Sequence, residues 1–98
     1  MLEQLKPNLL TPHIGTTFEV LTDPTNVFSL TLTNVLEHEK TERNEAFSLL
    51  FHGPQSPFMP QAIYKLQHAE LGVFEIFLVP VARDQDGFEY EAVFNQML

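Results

Sequence analysis

Apolar and polar residues alternate along most of this chain. Phe28, Leu30 and Leu32 take turns with Ser29, Thr31 and Thr33, and Phe47, Leu49 and Phe51 fall two apart. The same spacing links Tyr64 to Leu66, and Phe88 to Tyr90, Ala92 and Phe94. Successive side chains of a strand point to opposite faces, so a period of two predicts half-buried β-strands. One face of each strand then enters a shared core while the other meets water, as in antiparallel sheets.

Turn residues divide the chain into six such segments. Thr16 to Thr22 forms the first, and Asp23-Pro24-Thr25-Asn26 reverses the chain. Val27 to about His38 follows; its inward phase breaks at Asn34, with Val35 and Leu36 both apolar, which marks a bulge or bend. Residues 37–45 are charged, without apolar period, and read as a solvated hairpin loop. A third strand, Ala46 to about His52, stops at Gly53-Pro54, and Gln55 to Pro60 is an irregular, proline-rich crossover. Ala62 to His68, Val73 to Val81 and Phe88 to Asn95 complete the set. Glu70-Leu71-Gly72 and Asp84-Gln85-Asp86-Gly87 supply the turns between them. Val73 to Val81 is apolar on nearly both faces, the pattern of a strand covered on both sides.

Ahead of the strands, Thr11-Pro12 offers an N-cap with proline at the first helical position, and Gly15 offers a stop. Residues 1–15 are therefore a lead-in with a short helical turn, whose Leu9, Leu10 and Ile14 cover an end of the core. The expected fold is mainly β, one domain over residues 1–98. Its six antiparallel strands, in sequential order, curl into a small barrel or a two-layer sandwich.

Nine Phe and two Tyr supply the core. Each fully buried aromatic contributes about 2–3 kcal/mol. The chain has no cysteine, which excludes disulfides, thiolate chemistry and Cys-based metal centres and fits a reducing compartment. Thirteen acidic residues against five basic ones give a net charge of −8. Lys6, Lys40, Arg43, Lys65 and Arg83 are scattered, whereas a nucleic-acid backbone needs clustered cations. Neither nucleic acid nor an anionic membrane surface is an expected partner. Met1-Leu2-Glu3-Gln4-Leu5-Lys6-Pro7 lacks the apolar core of a signal peptide, and no apolar run is long enough to span a bilayer. The expectation is a soluble, cytoplasmic bacterial protein.

Candidate chemistry is sparse. His13, His38, His52 and His68 show none of the local spacings of metal-binding histidines. His52 and His68 end neighbouring predicted strands, so either they meet on one rim or each bonds a turn. Asp84-Gln85-Asp86-Gly87 resembles the start of a calcium loop, but Asn95 stands where the late Glu belongs and the flanks are strands. Ser29, Ser48 and Ser56 have no nucleophile-elbow context. Glu89 and Glu91 share a face opposite Phe88, Tyr90 and Phe94, which turns them to solvent. No catalytic residue, metal ligand or cofactor site is expected. His52, Tyr64, His68 and Tyr90 are candidate pocket or rim residues for an apolar ligand. Phe58 and Met59, between Pro57 and Pro60, either cap the core or form an interface with a protein partner or a second copy.

From Phe47 onward the chain resembles a family of small bacterial domains of unknown function (DUF6916-like). The matching residues are Phe51-His52-Gly53-Pro54, Pro60-Gln61 with Tyr64, Leu66 with His68, and Leu71-Gly72. Phe77-Leu78-Val79-Pro80 and Tyr90-Glu91-Ala92-Val93-Phe94-Asn95 continue the match, and Gly15-Thr16-Thr17-Phe18 fits its start. The resemblance brings no catalytic residues and implies an assembly or binding role. The leading expectation is a non-enzymatic protein-interaction or assembly module. The alternatives are a small-molecule-binding barrel and an enzyme centred on His52, His68 and a nearby Glu.

Overall fold

Alternation along the chain becomes a sheet that closes on itself. The computed structural model describes residues 7–21, 28–42, 44–55 and 58–97. A single helical turn, α1 (Pro7–Leu10), runs into a 3-10 turn at Thr11–His13. Six strands follow: β1 (Thr17–Val20), β2 (Phe28–Lys40), β3 (Asn44–Gly53), β4 (Ala62–His68), β5 (Gly72–Arg83) and β6 (Phe88–Met97). All pairings are antiparallel, and the ring runs β1-β2-β3-β6-β5-β4, with β4 returning to β1. The mainly-β, six-stranded antiparallel fold is as the periodicity predicts.

The sequential strand order is not. β3 pairs with β6, and β4 lies between β5 and β1, so the chain crosses the ring between Gly53 and Ala62. A stretch carrying Pro54 and Pro60 cannot make the tight primed turn that would fold β4 back onto β3. The result is two three-stranded meanders joined by a crossover over one end of the ring.

Strand ends also shift. The charged hairpin predicted over residues 37–45 is mostly strand, because β2 runs to Lys40 and β3 starts at Asn44. Glu37 pairs with Phe47 and Lys40 with Glu45, so ladder hydrogen bonds outweigh the polar composition. The phase break near Asn34 is a register shift between Leu32 and Asn34, and a second shift falls between Glu37 and Glu39. The predicted reversal at Asp23–Asn26 lies outside the described residues. The 3-10 turn starts after Leu10 rather than at a Thr11 cap, and Leu10 alone of the three lead-in apolar residues is buried; Leu9 and Ile14 are exposed.

Phe18, Leu30, Phe47, Phe51, Leu66 and Tyr90 point inward and are almost wholly buried. Phe18 stands edge-on to Phe51 and Phe74, with ring centroids 5.2 and 5.9 Å apart. That arrangement aligns the positive edge of one ring with the negative face of another. β5 departs from its predicted double cover: Phe74, Ile76 and Leu78 are buried, but Val73, Phe77 and Val81 are exposed on the outer face. Pro80 fits within this strand because the β5–β6 register shifts between Pro80 and Ala82.

Two glycines permit the crossover to leave β3. A Cβ at Gly53 would lie 2.7 Å from Leu30 Cδ2 and 3.2 Å from a Tyr90 ring carbon. A Cβ at Gly87 would overlap the Gly53 carbonyl oxygen, at a φ of +155° that side chains rarely adopt. Gly87→Ala is expected to destabilise the domain by about 2–4 kcal/mol, read as a lowered urea midpoint with an unchanged m-value.

Candidate functional site

The crossover packs by alternating its side chains. Met59 drops into the ring and is 2% exposed, whereas the adjacent Phe58 stays outside at 51%. Tyr90, inward on β6, accepts a hydrogen bond on its hydroxyl from the Met59 backbone N–H at 3.0 Å. Tyr64, inward on β4, donates its hydroxyl to the Pro60 carbonyl at 2.5 Å. The two strands that flank β5 thus grip consecutive residues of one loop. Burial raises the pKa of both phenols, and the neighbouring Tyr90 raises Tyr64 further, so both stay protonated. Tyr64 and Tyr90 therefore act as clamps on the chain's own backbone, and Met59 belongs to the core rather than to an interface.

Phe58 packs on Phe88, with ring centroids 4.9 Å apart, and Phe88 in turn leans on the core. Beside this pair opens a cleft of about 510 Å³ lined by Gln55, Arg83, Asp84, Gln85 and Phe88. Its floor is the β5–β6 turn. Asp84 Oδ1 accepts from the N–H groups of Asp86 and Gly87 at 2.8 and 2.9 Å, and Asp84 N–H donates to the Gly87 carbonyl. These backbone donors, with a smaller share from His52, lower the Asp84 pKa. His52 Nε2 lies 3.6 Å from Asp84 Oδ1, and Gln55 donates to the Gln85 carbonyl across the cleft. Arg83, Phe88 and Gln55 carry no signal in a linear reading. They gather only because Gly53 pairs with Phe88 and Phe88 with Arg83 in the ring.

His68 is at the opposite end and faces inward, so it does not meet His52. Its Nδ1 accepts from the N–H groups of Glu70 and Leu71 at 3.0 and 3.2 Å. The proton therefore sits on Nε2, which bonds Thr16 Oγ1 at 2.9 Å, and Thr16 donates onward to the His13 carbonyl at 2.6 Å. The His13 ring stands edge-on to His68 at 4.7 Å, and its Nε2 lies 3.7 Å from Glu70 Oε2. Burial lowers the His68 pKa, His13 lowers it further, and Glu70 partly opposes both. This rim ties the N-terminal lead-in to the β4–β5 turn. Elsewhere His38 Nε2 bonds the buried Ser48 Oγ at 2.6 Å, a contact between β2 and β3. Glu89 and Glu91 lie on the outer face, opposite His52 and Leu50 of β3. Among the described residues, no three His, Asp or Glu side chains gather to hold a metal, and no helix is long and apolar enough to cross a membrane.

Two outcomes follow from these rims. Tyr90→Phe leaves the buried Met59 N–H without its acceptor and is expected to cost about 1–3 kcal/mol in urea unfolding. An unfolded histidine takes a proton near pH 6.5, whereas folded His68 resists it, so its stabilisation is complete above about pH 6.5. That stabilisation is lost as pH falls from there toward the lowered folded pKa. The urea midpoint is expected to drop between about pH 7.5 and 5.5, with a shallower drop in His68→Gln.

No curated protein and no solved structure matches the chain. Residues 5–94 match the model of one family, described as Domain of unknown function (DUF6916), and the chain belongs to that family.

Proposed function

We propose that this domain is a non-enzymatic protein-interaction or assembly module, a small cytoplasmic β-barrel that binds its partner through the crossover rim. The observation that carries the reading is the split between Phe58 and Met59. Met59, Tyr64 and Tyr90 immobilise the loop from inside, and that leaves Phe58 on display against Phe88. An aromatic held in place before binding loses little conformational entropy when it docks, and aromatic side chains dominate interface cores. The adjoining cleft adds Arg83, Asp84 and the two glutamines as polar groups around an apolar anchor. The interior supports a ligand less well, since both inward tyrosine hydroxyls bond the chain's own backbone. The absence of cysteine and the net charge of −8 suit a reducing, crowded compartment.

Phe58→Asp tests the reading. With the ring half in solvent, the melting temperature is expected to stay near wild type, a change of less than about 1 kcal/mol. Co-purification from the native host, followed by calorimetric titration of the purified partner, is expected to show binding to wild type and none to Phe58→Asp. A partner bound equally well by both would refute the crossover rim as the docking face.

A further inference from the structure

We propose that His68 is a proton-operated latch: when its ring takes up a second proton, the lead-in before β1 swings away on Gly15 and uncovers the end of the ring opposite the crossover. The latch rests on one lone pair. Nδ1 of His68 accepts from the N–H groups of both Glu70 and Leu71, while Nε2 donates to Thr16 Oγ1. The neutral ring with its proton on Nε2 is the one form that makes all three bonds. An imidazolium carries an N–H on each nitrogen, so protonation aims a third donor at the two amides. The charged ring is also buried, packed against the Phe18 ring at 4.5 Å, and leaving toward water relieves both costs.

The lead-in shares the contacts of that ring. Thr16 joins it to the His13 carbonyl twice, through its hydroxyl at 2.6 Å and its N–H at 3.0 Å, and the His13 ring stands against His68 itself. Once His68 leaves, the Thr16 hydroxyl loses its donor and the His13 ring loses its neighbour. Gly15 supplies the hinge. Its φ is +91°, and no heavy atom lies within 4 Å of where a Cβ would stand, so the backbone there can turn without meeting a neighbour. Swinging on it takes Leu10 out of the core, and reburial of Leu10 is what closes the latch again.

The charged groups around the ring favour opening on balance. From the 3-10 turn His13 faces His68 and opposes a charge there, and a proton on His13 adds repulsion between the two rings. From the β4–β5 turn Glu70 draws a charge, but its carboxylate is largely exposed, where water and salt screen it. β1 contributes Phe18 and, just before it, Thr16, neither of them charged. A swung-out ring titrates as an ordinary histidine near pH 6.5, whereas the seated ring resists the proton. The opening equilibrium therefore rises about tenfold between pH 7.5 and 5.5.

Native-state hydrogen exchange read by NMR tests the latch on wild type and on His68→Gln, whose side-chain carbonyl still accepts a bond but takes no proton. After correction for the intrinsic pH dependence of exchange, the Thr16, Glu70 and Leu71 amides of wild type are expected to lose about tenfold in protection from pH 7.5 to 5.5. At pH 5.5 their exchange is expected to be nearly independent of dilute urea, the mark of a local opening. The Leu49 and Phe51 amides, in the middle of β3, are expected to follow the full m-value of unfolding instead. In His68→Gln, protection of Thr16 is expected to change less than about twofold over the same pH range. Thr16 protection that holds steady in wild type, a fall that follows the full m-value, or an equal fall in His68→Gln would overturn the proposal.

Discussion

The pairing of β1 with both β2 and β4 closes the sheet, and that closure fixes which side of every other strand is inside. β1 is only Thr17–Val20, yet it matches Phe28–Thr31 of β2 on one side and Leu66–Gln67 of β4 on the other. Because side chains alternate, each ladder passes its inward phase to the next, and Phe18, Leu30, Phe51, Tyr90 and Leu66 converge on one interior. A slip of one residue at β1 would turn Phe18 and Val20 outward and Thr17 and Glu19 inward. The contacts of Gly15 and Thr16 with Leu32, and of Leu21 with Lys65, extend the two ladders just past the strand and oppose such a slip.

Closure leaves two open ends, and the polar residues of the interior are spent on sealing them. At one end two phenols hold the crossover; at the other a histidine, a threonine and a backbone carbonyl hold the lead-in. The Tyr90 hydroxyl answers the buried Met59 N–H, which would otherwise lack a partner, and the remaining bonds tie partly exposed backbone to the rims. The same residue types in a linear sequence resemble a binding site, since tyrosine and histidine in an apolar setting serve both purposes. What separates the two is the identity of the partner atom. Here it is main chain, or a side chain bonded in turn to main chain.

Much of the fold was legible because it is local. Ala62–His68 matches its predicted bounds, the alternation of Phe88 to Phe94 gives the correct inward face, and Asp84–Gly87 forms its turn. Bounds drifted where pairing overrode composition, as in Glu37–Glu45, where charged residues stay in the ladder. Ring order was not legible, because it depends on which strand meets β3 across the crossover, and no local pattern records that choice. The candidate site suffered for the same reason. Phe58 and Met59 were recognisable as an unusual pair, but their opposite fates depend on tyrosines of β4 and β6 that close on the loop from either side of β5. Arg83 and Phe88 became neighbours of Phe58 only through β3–β6 and β5–β6 pairing.

The crossover also bears on the order in which the molecule assembles. The first three strands form one meander and the last three another, and each needs only near neighbours in sequence. The ladders that unite them, β3 with β6 and β1 with β4, join residues as distant as Asn44 and Met97 or Glu19 and Gln67. A chain emerging from the ribosome N-terminus first therefore exposes β3 and β1 as bare edges until β4 and β6 have been made. The loop gripped by Tyr64 and Tyr90 is the last piece that has anywhere to go, since its two anchors belong to the second meander. Docking of Met59 and Pro60 therefore needs both β4 and β6 in place, which makes it a closing step of the fold.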